Sequence, residues 1–490
     1  MSAELANLIG GIIILADLAI RIAALIIIPR DRKPTAAMAW LLAIFLIPFV
    51  GIILFLIIGN VKLPKKRMER QKEINAIIEQ RAEGVDLDTD PASWPSWFRT
   101  ITEQNRRLGA LPATGGNRAE LIGDYQASID RMAADLDLAE RFVHVEFFIV
   151  AFDDTTRGFF AAMERAVQRG VTVRLLMDHI ASAKVPIHKE TVAELDRIGV
   201  IWRYLLPVQP FKGHYQRPDL RNHRKLVVVD GRIAYTGSQN LIDRSYDSPK
   251  NQKRGLKWQE LVTRVTGSSV TAINAVFLSD WYAETDENLL AVEHVPAADV
   301  PDDPSPDALV CQVVPSGPAY ELENNLRLFL GLVNAAQEQV IITSPYFVPD
   351  EAMMYAITSA RLRGLEVQLF VSEIGDQGSV WHAQRSYYGA RLRAGVRIFL
   401  YPGPYILHAK HLSIDDDVAV IGSSNMDIRS FNLNFEISLL VRGRSFVADM
   451  RQVEAEYRTL GRELTLEEWE REPATATFLD GVARLTSALQ

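Results

Sequence analysis

Hydrophobic and polar positions follow different rules in different parts of this chain. The first sixty residues are almost unbroken apolar sequence. Leu5 to Pro29 is interrupted only by Asp17 and Arg21, and Pro34 to Val61 runs for 28 residues without a charge. About 20 apolar residues cross a bilayer core, so two transmembrane helices are predicted, at about 5–29 and 35–60. Pro48 and Gly51 fall inside the second, which membrane helices tolerate. Asp17 and Arg21 are four apart and share a helix face, where they can pair. A signal peptide fits less well: the start Met1-Ser2-Ala3-Glu4 is acidic and no small-residue cleavage site follows the run.

Two spans put both termini on one side of the membrane. The loop between them carries Arg30, Arg32 and Lys33 against Asp31, and the second run is followed by Lys62, Lys65, Lys66, Arg67, Arg70 and Lys72. The larger basic count lies on the C-terminal side, which predicts a multi-pass protein of the cell (inner) membrane with a cytoplasmic bulk. Residues 62–116 form a basic connecting segment. Lys65 to Arg81 reads either as a helix along the membrane surface, with Trp94, Trp97 and Phe98 at headgroup level, or as a solvated linker.

Beyond residue 117 apolar runs of strand length alternate with helical periodicity. Strands are predicted at Phe142–Val150, Val171–Met177 and Val200–Leu205, with a helix at Gly158–Arg169 between the first two. The same order returns at Val340–Phe347, Glu351–Arg363, Leu365–Val371 and Val396–Leu400. Such alternation means a layered α/β domain. A duplication follows: a first half at 117–299 and a second at 300–490 with C-terminal helices. The Pro/Asp-rich stretch Val300 to Asp307 marks the join. The two halves are predicted to pack about a pseudo-twofold axis.

Composition narrows the class. Of 490 residues 48% are hydrophobic, so the chain can bury a large core and is not disordered. One cysteine, Cys311, rules out a disulfide scaffold. The net charge of −8 argues against a nucleic-acid partner but leaves room for an anionic substrate at a local basic cluster.

The candidate chemistry sits inside the repeat. His223-x-Lys225 is followed five residues later by Asp230, and His408-x-Lys410 by Asp415. Fourteen residues after each histidine comes Gly-Ser-x-Asn, ending at Asn240 and Asn425. The two histidines are 185 residues apart, which is the repeat length. His and Lys two apart on a strand project from one face. Two such strands meeting in one cleft would suit a phosphodiester. Lysine and asparagine donors would hold the phosphoryl oxygens, one neutral histidine would attack phosphorus, and a protonated one would serve the leaving alcohol. Asp230 and Asp415 also stand where turns favour Asp, so they carry a mixed reading of turn and active-site orientation. Asn240 and Asn425 could instead cap helices. His411 has the wrong strand parity to join the site and reads as structural. His144, His179, His188, His214 and His382 show no metal-ligand spacing, so neither a metal nor another cofactor is expected.

On these motifs the chain resembles the phospholipase D superfamily, and more narrowly its bacterial cardiolipin synthases. The second half's Ser344-Pro345-Tyr346-Phe347-Val348-Pro349-Asp350, its Gly422 to Phe431 segment and its Leu433-Asn434-Phe435-Glu436 carry the resemblance, as does the first half's Trp258-Gln259-Glu260. Glu260 stands where many relatives have Asp, so the charge is kept. The resemblance implies reversible, metal-free phosphatidyl transfer between two phosphatidylglycerol molecules through a phosphohistidine, giving cardiolipin and glycerol. It implies His223 as nucleophile, His408 as acid and base, and Glu260 and Glu436 as groups that orient the histidines. The nearest alternative is a membrane-bound phospholipase D releasing phosphatidic acid; a tethered nuclease and an inactive scaffold fit less well.

Overall fold

The computed structural model describes residues 3–32, 34–59, 63, 67–71, 73, 91–209, 217–289 and 308–485. They divide into two compact units near residue 62.

Among the described residues the N-terminal unit holds three α-helices, α1 (Ala3–Ile27), α2 (Pro34–Leu46) and α3 (Pro48–Ile58), with a 3-10 turn at Ile28–Asp31. The helical stretch Asn7–Arg30, which contains most of α1, is long and apolar enough to cross a membrane. The second predicted span departs from expectation. It is not one helix over 35–60 but two short ones, broken at Ile47 (φ −136°, ψ 75°) where Pro48 opens α3. Proline has no N–H to give, and its ring clashes with the preceding turn, so a break before it is the low-energy outcome. The break reverses the chain. The Trp40 and Phe55 rings meet at 5.4 Å, whereas fifteen residues of continuous helix would hold them about 22 Å apart.

The second unit is built on one sheet. Its first-half strands are β1 (Thr114–Ile122), β2 (Phe142–Phe147), β3 (Thr172–Asp178), β4 (Ile201–Leu205), β5 (Lys225–Val229), β6 (Ile233–Gly237), β7 (Lys257–Gln259) and β8 (Val262–Thr266). The second half adds β9 (Leu309–Ser316), β10 (Gln339–Thr343), β11 (Glu366–Ser372), β12 (Arg397–Tyr401), β13 (Tyr405–Leu407), β14 (His411–Ile414), β15 (Val418–Gly422), β16 (Glu436–Arg442) and β17 (Arg462–Leu464). Fifteen of them form one sheet in the order β17-β12-β11-β10-β14-β15-β16-β9-β1-β8-β6-β5-β2-β3-β4. Read outward from the β9–β1 seam, the two halves have the same strand order. The seam pairs Thr114 with Cys311 and Asn117 with Leu309.

Helices cover both faces, so central strands are buried throughout. Along β5, Leu226 and Val228 join a core cluster shared by both halves, while Val227 and Val229 join one confined largely to the first half. The shared core packs under the helices at Ser269–Thr285 and Arg444–Leu460.

The segment expected as a basic linker is partly built into this body. Arg67 reaches Glu284 (2.7 Å), Arg70 pairs with Asp286, Gln71 reaches Ser279 (3.1 Å) and Glu73 accepts from Tyr282 (3.1 Å). These partners all lie on or beside one helix of the body. Trp94 and Phe98 are buried in the second half's core with Trp97 against it, rather than at headgroup level. Most of Lys65–Arg81 lies outside the described residues.

Candidate active site

Local sequence brings the site together by close backbone approach. At the end of β6 Gly237 has φ +154°, and a Cβ there would sit 2.4 Å from the Leu261 carbonyl; at the end of β15 a Cβ on Gly422 would sit 2.2 Å from that of Ile437. Only glycine fits. This contact lets each Gly-Ser segment zip against the strand that follows the opposite histidine's glutamate partner: Ser238 N–H bonds Leu261 O (3.0 Å) and Ser423 N–H bonds Ile437 O (3.0 Å).

The histidines are set by cross-half pairing. Just before β5, His223 N–H bonds Phe435 O (2.8 Å); just after β13, His408 N–H bonds Gln259 O (2.7 Å). Each histidine therefore lies beside the glutamate of the other half. His223 Nδ1 is 3.0 and 3.1 Å from the Glu436 carboxylate, and His408 Nδ1 is 2.8 and 2.9 Å from that of Glu260. Ser423 Oγ donates to Glu436 (2.5 Å), whereas Ser238 Oγ donates to Leu261 O (3.2 Å). A carboxylate at Nδ1 fixes that nitrogen as the donor and leaves Nε2 with a lone pair for chemistry.

Both lysines turn back on the same strand: Lys225 Nζ donates to His223 O (2.5 Å) and Lys410 Nζ to His408 O (2.6 Å). One field joins all four groups. Burial pushes His223 down to about 4 against the pull of Glu436, with Lys225 and Lys410 adding to the fall. His408 also lies at about 4, for burial and for Lys410 and Lys225 against Glu260. Burial, with Lys410 adding to it, takes Lys225 down to about 7; burial takes Lys410 to about 8. Burial opposes ionisation of Glu260 and Glu436, yet the histidine and lysine beside each hold both below the usual carboxylate range. The resting cleft thus holds two neutral imidazoles and two lysines whose charge an anion would reinforce.

The asparagines differ. Asn240 Oδ1 accepts from Ile149 N–H (3.1 Å) and its Nδ2 donates to Tyr246 Oη (2.9 Å). Asn425 Oδ1 is buried with no partner.

Two assigned residues are not in the cleft. Asp230 accepts from the N–H groups of Glu140, Arg141 and Phe142 (2.8–2.9 Å), and Asp415 from those of Gln337, Glu338 and Gln339. Both aspartates have positive φ, 52° and 45°, and each clamps the entry to a neighbouring strand. These contacts are those of the turn half of their mixed reading. Asp230→Ala should cost about 2 kcal/mol of stability, since the buried Phe142 N–H and two part-buried ones lose a charged acceptor, while activity per folded molecule stays near wild type. Denaturant melts beside an assay normalised to folded protein check this.

His411, on β14, faces the shared core with Nδ1 3.5 Å from Glu454. Among the described residues no group of three or more His, Cys, Asp or Glu could hold a metal ion.

Sequence reasoning missed several neighbours. Tyr246 Oη donates to Glu260 (3.2 Å), and the rings of Tyr246 and Tyr346 each stand edge-on to His408 at 6.2 Å. Phe148 stands edge-on to His223 at 4.9 Å and 5.2 Å from Lys225 Nζ. Arg224 pairs with Asp280 and donates from Nε to Glu436 O (3.0 Å), while Asn222 Nδ2 reaches Asp280 (3.0 Å). Arg224 has Ala409 as its counterpart in the repeat, so a search for duplicated residues passes over it.

Comparison with known proteins bears on this geometry. Residues 132–281 and 329–457 match the family described as "Cardiolipin synthase, PLD-like domain". Residues 19–60 match "Phospholipase D-nuclease N-terminal". The chain is 30% identical to cardiolipin synthase A of Pectobacterium carotovorum over 470 residues, 91% of each chain. It is 31% identical to cardiolipin synthase A of Yersinia pseudotuberculosis, again over 470 residues and 91% of each. A crystal structure of phosphatidylserine synthase from Haemophilus influenzae superposes with a TM-score of 0.60 at 14% identity, covering 80% of this chain and all of that one; it shares the fold.

Proposed function

The chain belongs to the cardiolipin synthase family of phospholipase D-like proteins, and from that membership and the cleft's geometry we propose its reaction in residues. It is a membrane-associated phosphatidyltransferase that makes cardiolipin. The observation that carries the mechanism is the pair of histidines, each held at Nδ1 by the other half's glutamate.

A phosphatidylglycerol enters with its phosphodiester between Lys225 and Lys410. The bound anion restores full charge to both lysines and draws a proton from solvent onto Nε2 of His408. Neutral His223 attacks phosphorus through Nε2. An N–P bond forms, the P–O bond to glycerol breaks, and His408 gives its proton to the departing oxygen. Glycerol leaves. The headgroup hydroxyl of a second phosphatidylglycerol then takes its place, gives its proton to His408, and attacks phosphorus as the bond to His223 breaks. Cardiolipin is released, His223 is free again, and His408 returns its proton to solvent as the anionic substrate's phosphoryl group leaves, so both imidazoles regain their neutral resting state. Every step is reversible. Lys225, Lys410, Asn240 and Asn425 supply donors for charge developing on the phosphoryl oxygens, and Glu436 and Glu260 stabilise each imidazolium in turn. The catalytic body lies on the cytoplasmic side.

The test is the product. Purified protein given phosphatidylglycerol alone should yield cardiolipin and glycerol in equal amounts by mass spectrometry, and phosphatidic acid without cardiolipin would return the assignment to a hydrolase.

A further inference from the structure

The fold of the N-terminal unit carries an inference about the membrane. Arg32, just ahead of α2, donates from Nη2 to the Gly59 carbonyl (2.7 Å) just past α3, and its guanidinium lies 4.7 Å from the Phe55 ring. The start of α2 and the end of α3 are therefore at one level. Between them the limbs pack closely: a Cβ on Gly51 would lie 2.8 Å from the Ile44 Cα and 2.9 Å from the Ala43 carbonyl.

The depth of this hairpin is set by α1. Its C-terminal half meets the hairpin: Ile20 and Ala24, with Ile28 just beyond, cluster with Ala37, Ile44, Ile52 and Phe55. Arg21, paired with Asp17 at 2.8 Å, stands 5.3 Å from the Phe45 ring beside the elbow. Toward the N-terminus Leu8, Ile12, Ile14 and Leu15 stay exposed. The elbow thus reaches about the middle of α1 and stops. A limb of 13 residues is about 20 Å long, enough for one leaflet's hydrocarbon of about 15 Å but not for the whole core. Its outer surface is apolar, with Leu46 71% and Ile47 58% exposed at the elbow.

We infer that α2 and α3 form a re-entrant hairpin seated in the acyl chains of one leaflet, with α1 the single crossing. The chain then leaves on the side of the Ile28–Asp31 turn, opposite the start of α1. This removes a conflict in the charges. With two crossings Arg30, Arg32 and Lys33 oppose the basic run from Lys62 to Lys72. With one crossing every one of these cations faces the same compartment, and only Glu4 lies at the other end.

The experiment uses the full-length enzyme in sealed vesicles, with single added thiols at Ala3→Cys, Thr35→Cys and Leu362→Cys and a membrane-impermeant maleimide. Each variant is also labelled after solubilisation, to confirm its thiol, and assayed for activity. Thr35→Cys and Leu362→Cys should react from one side and Ala3→Cys from the other. Ala3→Cys and Leu362→Cys reacting together against Thr35→Cys would establish two crossings, and all three on one side would remove α1 as a crossing; either overturns the inference. Spin labels at Thr35→Cys and Ile57→Cys give a second reading. Their separation should fall well below the roughly 33 Å that 22 helical residues would span, and a value near 33 Å would also overturn it.

Discussion

His223→Asn and His408→Asn should each lower turnover by roughly 10^4- to 10^6-fold, the loss expected when one member of a mutually dependent catalytic set is removed. Asparagine can keep an N–H near the position of Nδ1, so the buried carboxylates of Glu436 and Glu260 retain a donor. Melting and membrane insertion should stay near wild type, which isolates the chemical defect. The imidazoles do not divide the labour in the resting state, since both lie at about 4 for the same reason of burial. Their roles separate only when a phosphoryl group binds one of them. Enzyme given donor labelled in the phosphatidyl group and quenched in denaturant at neutral to mildly alkaline pH, where an N–P bond survives, should carry label on the peptide containing His223. Label on the His408 peptide would reverse the roles, and label on neither would remove the covalent route.

The second large effect follows from the crosswise pairing. Glu436→Gln and Glu260→Gln should each lower kcat by roughly 10^2- to 10^4-fold with KM little changed, because the amide neither fixes the Nδ1–H tautomer nor stabilises the imidazolium. The two variants should fail at different moments. Glu436 touches His223, so its loss should slow the appearance of trapped label. Glu260 touches His408, so its loss should slow proton delivery and acceptance in both half-reactions, and the second should leave label standing on the enzyme. Rapid-quench kinetics separate these, and the opposite assignment with label still on the His223 peptide would mean that each glutamate serves the histidine of its own half.

How much of this was legible beforehand depended on range. The strands, their order within each half and the repeated His-x-Lys are local patterns, and a period of two or 3.6 residues shows them without a partner. The crosswise partnership is not local. Glu260 and Glu436 could be named from position, but which histidine each meets is set by β7 pairing with β13 and by the bridge between Asn222 and Phe435. Asp230 and Asp415 show the reverse. Their duplication is genuine, but what it repeats is a backbone clamp, and recurrence alone does not tell a structural device from a chemical one. Residues 67–73 misled because basic side chains after an apolar run fit a membrane surface as well as they fit Glu284 and Asp286. Composition also hid the elbow at Ile47, because a proline inside an apolar run suits a kinked span and a reversal equally.

The unbroken sheet across the β9–β1 seam has a mechanical consequence. Two bodies joined by a flexible hinge can close over a substrate and expel water by moving. Here the seam is a short antiparallel pairing with an irregularity between Thr114 and Asn117, and any opening would have to part it while separating two His–Glu couples at once. The two halves are therefore expected to keep their spacing through the reaction rather than close like a jaw. Preference for a lipid hydroxyl over water must be written into the static lining around the two histidines, and acceptor choice should change with single substitutions there rather than with the stiffness of any joint.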